Sequence, residues 1–338
     1  MRKTLTALLL AGATALTPVV GAAEKLTFGT GNVVIHPINK LLFIPWADKV
    51  NAEGGDALKL AVRHGQMLVS PSNYVDRITD DVVQIVWGLL VFEPGRFPRS
   101  LVATIPFIEG SAEASAMAFC QLYEEGVFAD EMAEYVPLFF VPFPQSSVHL
   151  KDTPITDMTA LDGKKIMVGS PMASEVVTAY GGTPLSVSLP EHYQSLQRGT
   201  ADGNFMTYTA FPAFNLHEVT SDHLKVPLGG AMGMVFMTRE RYDALSDDAR
   251  TTLQANSGCD VSRQMGAKID QWEAESETFV GNQEGHTINE IDPSELADLQ
   301  TKLGPVVEAS FTDRIDGGDD VLARWKAALA AAIAKVGN

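Results

Sequence analysis

Cysteine is scarce in these 338 residues: there are two, Cys120 and Cys259, beside seven scattered histidines, and no group of them stands at zinc-like spacing. Whether the two cysteines pair is open, because sequence alone does not give the geometry that bonding needs. Positive charge is also short. With 25 lysines and arginines against 42 acids, the net charge of −17 disfavours nucleic acid and anionic lipid as partners, since both demand positive surface. After the first two dozen residues, no window is long and apolar enough to span a bilayer. Catalytic motifs are missing too: there is no phosphate-cradling loop, no Gly-x-Ser-x-Gly elbow and no His-Glu-x-x-His. Gly29, Thr30, Gly31 and Asn32 begin like a dinucleotide fingerprint, but Val34 stands where its third small residue belongs. The acid pairs Glu124-Glu125 and Asp247-Asp248 lie on polar helical stretches and read as solvated faces. An enzyme would need a nucleophile, a metal or a matched acid and base that these residues do not assemble, and no cofactor is expected.

What is present begins with an export leader. Arg2 and Lys3 precede an uncharged run that ends in Gly21, Ala22 and Ala23, and Thr14, Thr17 and Pro18 interrupt it, so residues 1–23 read as a cleaved signal peptide and the mature chain is expected in the periplasm. The remaining length exceeds what one core covers, which makes two domains the expectation. Strand-like segments at 26–29, 58–62 and 82–86 alternate with helical periodicity at 37–50 and 74–80, the pattern of an α/β sheet. Ligands of such sheets sit beyond the carboxyl ends of the strands, so the loops at 29–36 and 87–98 are candidate pocket walls, with Asn32, His36 and Trp87 on them. A helix at 111–125 and a strand at 138–143 follow. The second half repeats the alternation, with strands at 165–168, 185–189 and 203–206, helices at 173–180 and 191–198, and an aromatic stretch through Tyr208, Phe211 and Phe214. A Gly- and Met-rich strand at 226–237 suits a crossing between domains. Residues 247–281 read as one long polar helix, broken at most near Ser257-Gly258, and 296–311 and 319–336 as two more.

Three segments resemble the extracytoplasmic solute receptors of tripartite ATP-independent periplasmic (TRAP) transporters, of the dicarboxylate-receptor type. Residues 161–171 (Leu-Asp-Gly-Lys-Lys-Ile-Met-Val-Gly-Ser-Pro) are similar to one family passage, and Gly182-Thr183-Pro184 followed by 191–203 (Glu-His-Tyr-Gln-Ser-Leu-Gln-Arg-Gly-Thr-Ala-Asp-Gly) is similar to the most specific one. Residues 94–98 (Pro-Gly-Arg-Phe-Pro) resemble a loop of one branch. The resemblance implies an α/β, two-lobed periplasmic-binding-protein fold with crossing strands and a long helix spanning both lobes. In this reading residues 24–145 plus about 233–270 form the first lobe, and 146–232 plus about 271–338 the second. It further implies a monomer that closes on one small molecule and hands it to the small and large permease subunits. A binding protein for an ABC importer is the nearer rival, and the 191–203 passage together with the long helix favours the TRAP reading.

One departure bears on the ligand. Where the family carries an arginine that grips the ligand carboxylate, this chain has Met167, and Ser147 is neutral where some sugar-acid receptors have a second arginine. Two readings follow. Either the ligand is an organic acid held by another cation, with Arg96 the candidate, or it is neutral or cationic and meets an aromatic wall. Arg96 could equally brace its own loop. Trp87, Phe205, Met206, Tyr208 and Phe211, with Met167 opposite, point to a partly apolar pocket that suits a flat acid better than a dicarboxylate.

Overall fold

The computed structural model describes residues 23–337, so the expected leader lies, but for Ala23, outside the described residues. The strands are β1 (Glu24–Gly29), β2 (Leu58–Arg63), β3 (Ile85–Leu89), β4 (Tyr135–Phe143), β5 (Ser147–Leu150), β6 (Lys165–Met167), β7 (Thr183–Leu185), β8 (Gly203–Met206), β9 (Asp222–Lys225), β10 (Ala231–Thr238) and β11 (Thr287–Glu290). They form two sheets, one ordered β2-β1-β3-β10-β4 and the other β11-β9-β5-β8-β6-β7. Each sheet is the floor of one lobe. In the first, β1 runs parallel to β2 and β3, and Leu26, Phe28, Ile85 and Val86 are fully buried, as befits a parallel sheet covered by helices on both faces.

The helices are α1 (Ile44–Gly54), α2 (Tyr74–Thr79), α3 (Ala112–Glu124), α4 (Pro171–Ala179), α5 (His192–Gln197), α6 (Ala210–Phe214), α7 (Arg239–Asp243), α8 (Asp247–Ala255), α9 (Cys259–Gly281), α10 (Pro293–Lys302), α11 (Gly304–Thr312) and α12 (Gly318–Val336). A π-helical turn, Asn39–Phe43, leads into α1. The expected 247–281 helix is two helices. Gly258, at φ 92° and ψ −164°, turns the chain between them and donates its N–H to Leu138 O at 2.6 Å, leaving α9 as a spanning rod about 35 Å long. Likewise 296–311 divides at Leu303, because Pro305, in the first turn of α11, has no N–H with which to continue the ladder of α10.

Two antiparallel strands connect the lobes. β4 runs on through Ser146 into β5 of the second sheet, and the chain returns through β10, which pairs with β4 from Ala231↔Phe143 to Thr238↔Tyr135. The crossing strand starts at Ala231 rather than 226 because Pro227, Gly229 and Gly230 precede it. Gly229 sits at φ +93°, where a Cβ would come within 2.2 Å of Thr104 O, so only glycine fits. Trp87, expected at a strand end, lies inside β3.

The expected lobe boundaries need one correction at the C-terminus. α12 packs on α3 of the first lobe: Trp325 meets Phe119 edge-on at 6.4 Å, and Arg324 pairs with Glu125 at 2.6 Å. The apolar stripe Val321, Leu322, Trp325, Ala328, Leu329 and Ala332, buried at helical spacing, drives that docking. α10 and α11 stay with the second lobe, where Glu295 accepts the Met158 N–H at 3.0 Å and Phe311 is fully buried. Cys120 of α3 and Cys259 of α9 are joined in a disulfide.

Candidate functional site

A cleft of about 620 Å³ lies between the lobes. The first lobe contributes the loop after β1, with Thr30, Asn32 and His36, together with Ser70 and the β3 residues Trp87 to Leu89. The second contributes Met206, Thr207, Thr209, Ala213 and Phe214. Phe143, Ser146 and Ala231 of the crossing strands and Trp272 of α9 close the floor. Five rings form an arc around this space. Phe214 meets His36 at 5.7 Å, His36 meets Trp272 at 6.1 Å, Trp272 meets Phe143 at 6.5 Å, and Phe143 meets Trp87 at 6.3 Å. His36 and Phe214 therefore touch across the lobe boundary. A smaller chamber of about 110 Å³ continues the cleft past Leu89, Ser146 and Met206 and is lined by Ser170, His192 and Phe205.

Electrostatically the cleft is neutral. Among the described residues, none that lines the main cleft is a lysine, arginine, aspartate or glutamate. His36 is uncharged at neutral pH, its pKa lowered to about 4 by burial, and its Nδ1 accepts the Ile38 N–H at 3.3 Å, which leaves the ring proton on Nε2. The remaining polar side chains are the hydroxyls of Thr30, Ser70, Ser146, Thr207 and Thr209, the amides of Asn32 and Gln66 and the indoles of Trp87 and Trp272.

The second-lobe wall is fixed from behind. Met206 O, which can only accept, takes a hydrogen bond from His149 Nε2 at 3.0 Å. The Nδ1 of His149 must then accept from Nδ1 of His223 at 2.8 Å, and Nε2 of His223 from Nδ1 of His286 at 3.0 Å. Burial lowers the pKa of His149 to about 3 and that of His223 to about 2, which keeps this file of imidazoles neutral. Just beyond Met206, the N–H groups of Tyr208 and Thr209 donate to the two carboxylate oxygens of Glu273 on α9, at 2.8 and 2.7 Å. One turn earlier on α9, Asp270 accepts the N–H groups of Ala112 and Glu113 of the first lobe at 2.7 and 2.9 Å.

The structure brings Asn32, His36 and Trp87 together in the main cleft, and Phe205 into the small chamber. It does not bring the others there. Arg96 is exposed and braces its own loop, paired with Asp76 at 2.8 Å and Glu93 at 3.6 Å, because the buried Phe97 beside it anchors the turn and points the guanidinium outward. Met167 is fully buried in the second lobe with Leu196 and Phe211. Tyr208 is 1% exposed, behind the wall and against the His149 ring at 5.0 Å. Ser147 is buried on β5, one position beyond the cleft-lining Ser146. Trp272, Phe143, Ser146 and the Thr207/Thr209 pair line the cleft without having been expected there from the sequence.

Two α/β lobes joined by crossing strands around an uncharged cleft define a two-lobed solute-binding receptor. The chain belongs to bacterial extracellular solute-binding protein family 7, whose profile matches residues 29–314, and it is a solute receptor of the TRAP type. It is similar to the ectoine-binding periplasmic protein TeaA of Halomonas elongata, 24% identical over 75% of this chain and 78% of that protein. A marine metagenome TRAP solute-binding protein specific for aromatic acid ligands, solved with 3-hydroxybenzoate, is 25% identical with a TM-score of 0.86 over 92% of this chain and 99% of its own. A TRAP solute-binding protein of Rhodoferax ferrireducens, solved with copurified benzoate, is 24% identical with a TM-score of 0.86 over 94% of this chain and 100% of its own.

Proposed function

We propose that this receptor binds a flat, partly apolar organic acid, an aromatic carboxylate foremost, and carries it as a periplasmic monomer to the small and large permease subunits without transforming it. The observation that carries the reading is the arc of Trp87, Phe143, Trp272, His36 and Phe214 around an uncharged cleft. Offset and edge-on ring contacts reward a planar aromatic ligand and do little for a hydrated dicarboxylate. The likeness to a receptor specific for aromatic acids supports it. With Met167 buried and Arg96 paired elsewhere, the carboxylate would be held by neutral donors, among them the Thr30 hydroxyl, one hydroxyl of the Thr207/Thr209 pair, whose oxygens share a hydrogen bond at 2.6 Å, and the Nε2–H of His36. Both lobes line the cleft, so a ligand touching both favours the closed arrangement.

The absence of a cation from the lining supports a second reading, a neutral or cationic ligand held by ring faces. A thermal-shift panel separates the two. Benzoate, 3-hydroxybenzoate and phenylacetate at 100 times their dissociation constants should each add about 2.7 kcal/mol of stability, while succinate and galacturonate should add nothing. Stabilisation by amines or polyols alone would sink the acid reading, and mass spectrometry of the molecule retained on purification gives an independent answer.

A further inference from the structure

We propose that Glu273 is a positioning residue for ligand binding: from the helix that spans both lobes, its carboxylate holds the 207–210 segment that forms the second-lobe face of the cleft. The inference rests on the reading that this cleft is the ligand site. Three observations carry it. Both carboxylate oxygens of Glu273 are engaged, one by the Tyr208 N–H and one by the Thr209 N–H. Thr207, Thr209 and Ala210 line the cleft, and so does Trp272, the residue before Glu273. Asp270, three residues back and so on the same side of α9, makes the equivalent pair of bonds to Ala112 and Glu113 at the start of α3. One helix thus grips a first-lobe helix start with one carboxylate and the second-lobe wall with the other. The spacing of Thr207 and Thr209 from the ring arc is set through Glu273, which lines no part of the cleft itself.

The groups around Glu273 are mostly acidic or neutral. Asp270 and Glu277 share its helix, Glu277 is paired with Lys225 of β9 at 2.9 Å, Tyr208 approaches from the second lobe, and the neutral His36 ring stands against Trp272. Burial, reinforced by Glu277 and Asp270, pushes the Glu273 carboxyl up to about 7, against the two backbone bonds that favour its ionised form. Ionisation tightens the two bonds to Tyr208 and Thr209 but buries a charge, and burial outweighs the bonds, so the closed arrangement of this segment loses stability as pH rises through 7.

The test compares the wild type with E273Q and with E131Q. Glu131 is a carboxylate of the same kind, receiving the Arg99 and Ser100 N–H groups of the first lobe and also raised to about 7, and it does not line the cleft. Glutamine keeps one acceptor and sets an NH₂ against the other N–H. With 3-hydroxybenzoate as the probe, E273Q should lose at least about tenfold in affinity, while E131Q binds as the wild type does. Amide-exchange protection at Tyr208 and Thr209, corrected for the intrinsic rate, should fall from pH 6 to pH 8 in the wild type, as Glu273 ionises, and stay flat in E273Q. Unchanged affinity in E273Q, or equal exchange at those two amides in both proteins, overturns the proposal. If the wild type does not bind the probe, the aromatic-acid reading fails, and the exchange data alone decide the role of Glu273. If E273Q does not fold, a flat wild-type pH profile at the two amides overturns the proposal by itself.

Discussion

Arg96 and Trp272 show how residue type and residue place part company. The arginine is the chemically obvious carboxylate partner, and the structure commits it to Asp76 and Glu93 at the surface. Arg96→Ala should leave ligand affinity unchanged and cost less than about 1 kcal/mol of stability, the ordinary worth of an exposed ion pair. Trp272→Ala should instead weaken binding by about 2 kcal/mol, roughly thirtyfold, through lost apolar contact. Calorimetric titration of both variants checks this, and a binding loss in Arg96→Ala would return the guanidinium to the ligand. Asn32, His36 and Trp87 were legible in the sequence because they sit on strands and loops whose alternation marks the pocket end of a sheet. Trp272 and Phe143 were not, because their places depend on how a long helix and a crossing strand pass between the lobes, which no local pattern encodes.

At the scale of elements, the strands of the cleft are matched by absence of side chain. Gly233 of β10 lies under the Trp87 indole of β3, and a Cβ there would meet the ring at 2.1 Å. Gly88 does the same for the Tyr74 ring at 2.3 Å. Gly233→Ala should drive the indole out of its place, costing about 1–3 kcal/mol of stability and weakening aromatic ligands more than the stability loss explains. Titration of the variant below its melting range separates the two effects, and wild-type affinity would show that the indole position is not set by this contact. The α/β alternation and the break near Ser257-Gly258 were readable from composition and glycine placement. The short strands β5, β9 and β11, of four residues each, were not. Length is not the reason, since β8 is as short and was readable after its Asp202-Gly203 turn; three of the four residues in β9 and in β11 are polar, and pairing makes them strands, β9 against β5 and β11 against β9, Thr287↔Asp222 to Glu290↔Lys225. The placement of α12 on the first lobe was missed for a related reason: its apolar stripe states that it docks, not on what.

For the whole molecule, buried titratable groups set opposing pH trends. Burial depresses His36, His149, His192 and His223 to about 4, 3, 4 and 2, so the stability that neutrality gives them is full above the ordinary value of 6.5 and is lost as pH falls through those values. Glu131 and Glu273, raised to about 7 by burial, act the other way: their contribution is full below 4.5 and is lost as pH rises through 7. Four groups oppose two, and every tenfold change in a group's proton affinity is worth about 1.4 kcal/mol. Unfolding free energy should therefore fall between pH 6.5 and pH 4, and denaturant titrations across that range that showed it rising would contradict the neutral state of the imidazoles. The tie between Cys120 and Cys259 adds a matter of timing. The second cysteine follows the first by 139 residues, and the whole second sheet except β11 is encoded between them. As the chain emerges from its N-terminus, Cys120 must wait for most of the second lobe to pass before its partner exists. With only two cysteines in the sequence, it waits with no rival in its own chain, so the bond that fastens α9 to the first lobe has a single intramolecular outcome and records that the chain has come nearly full circle.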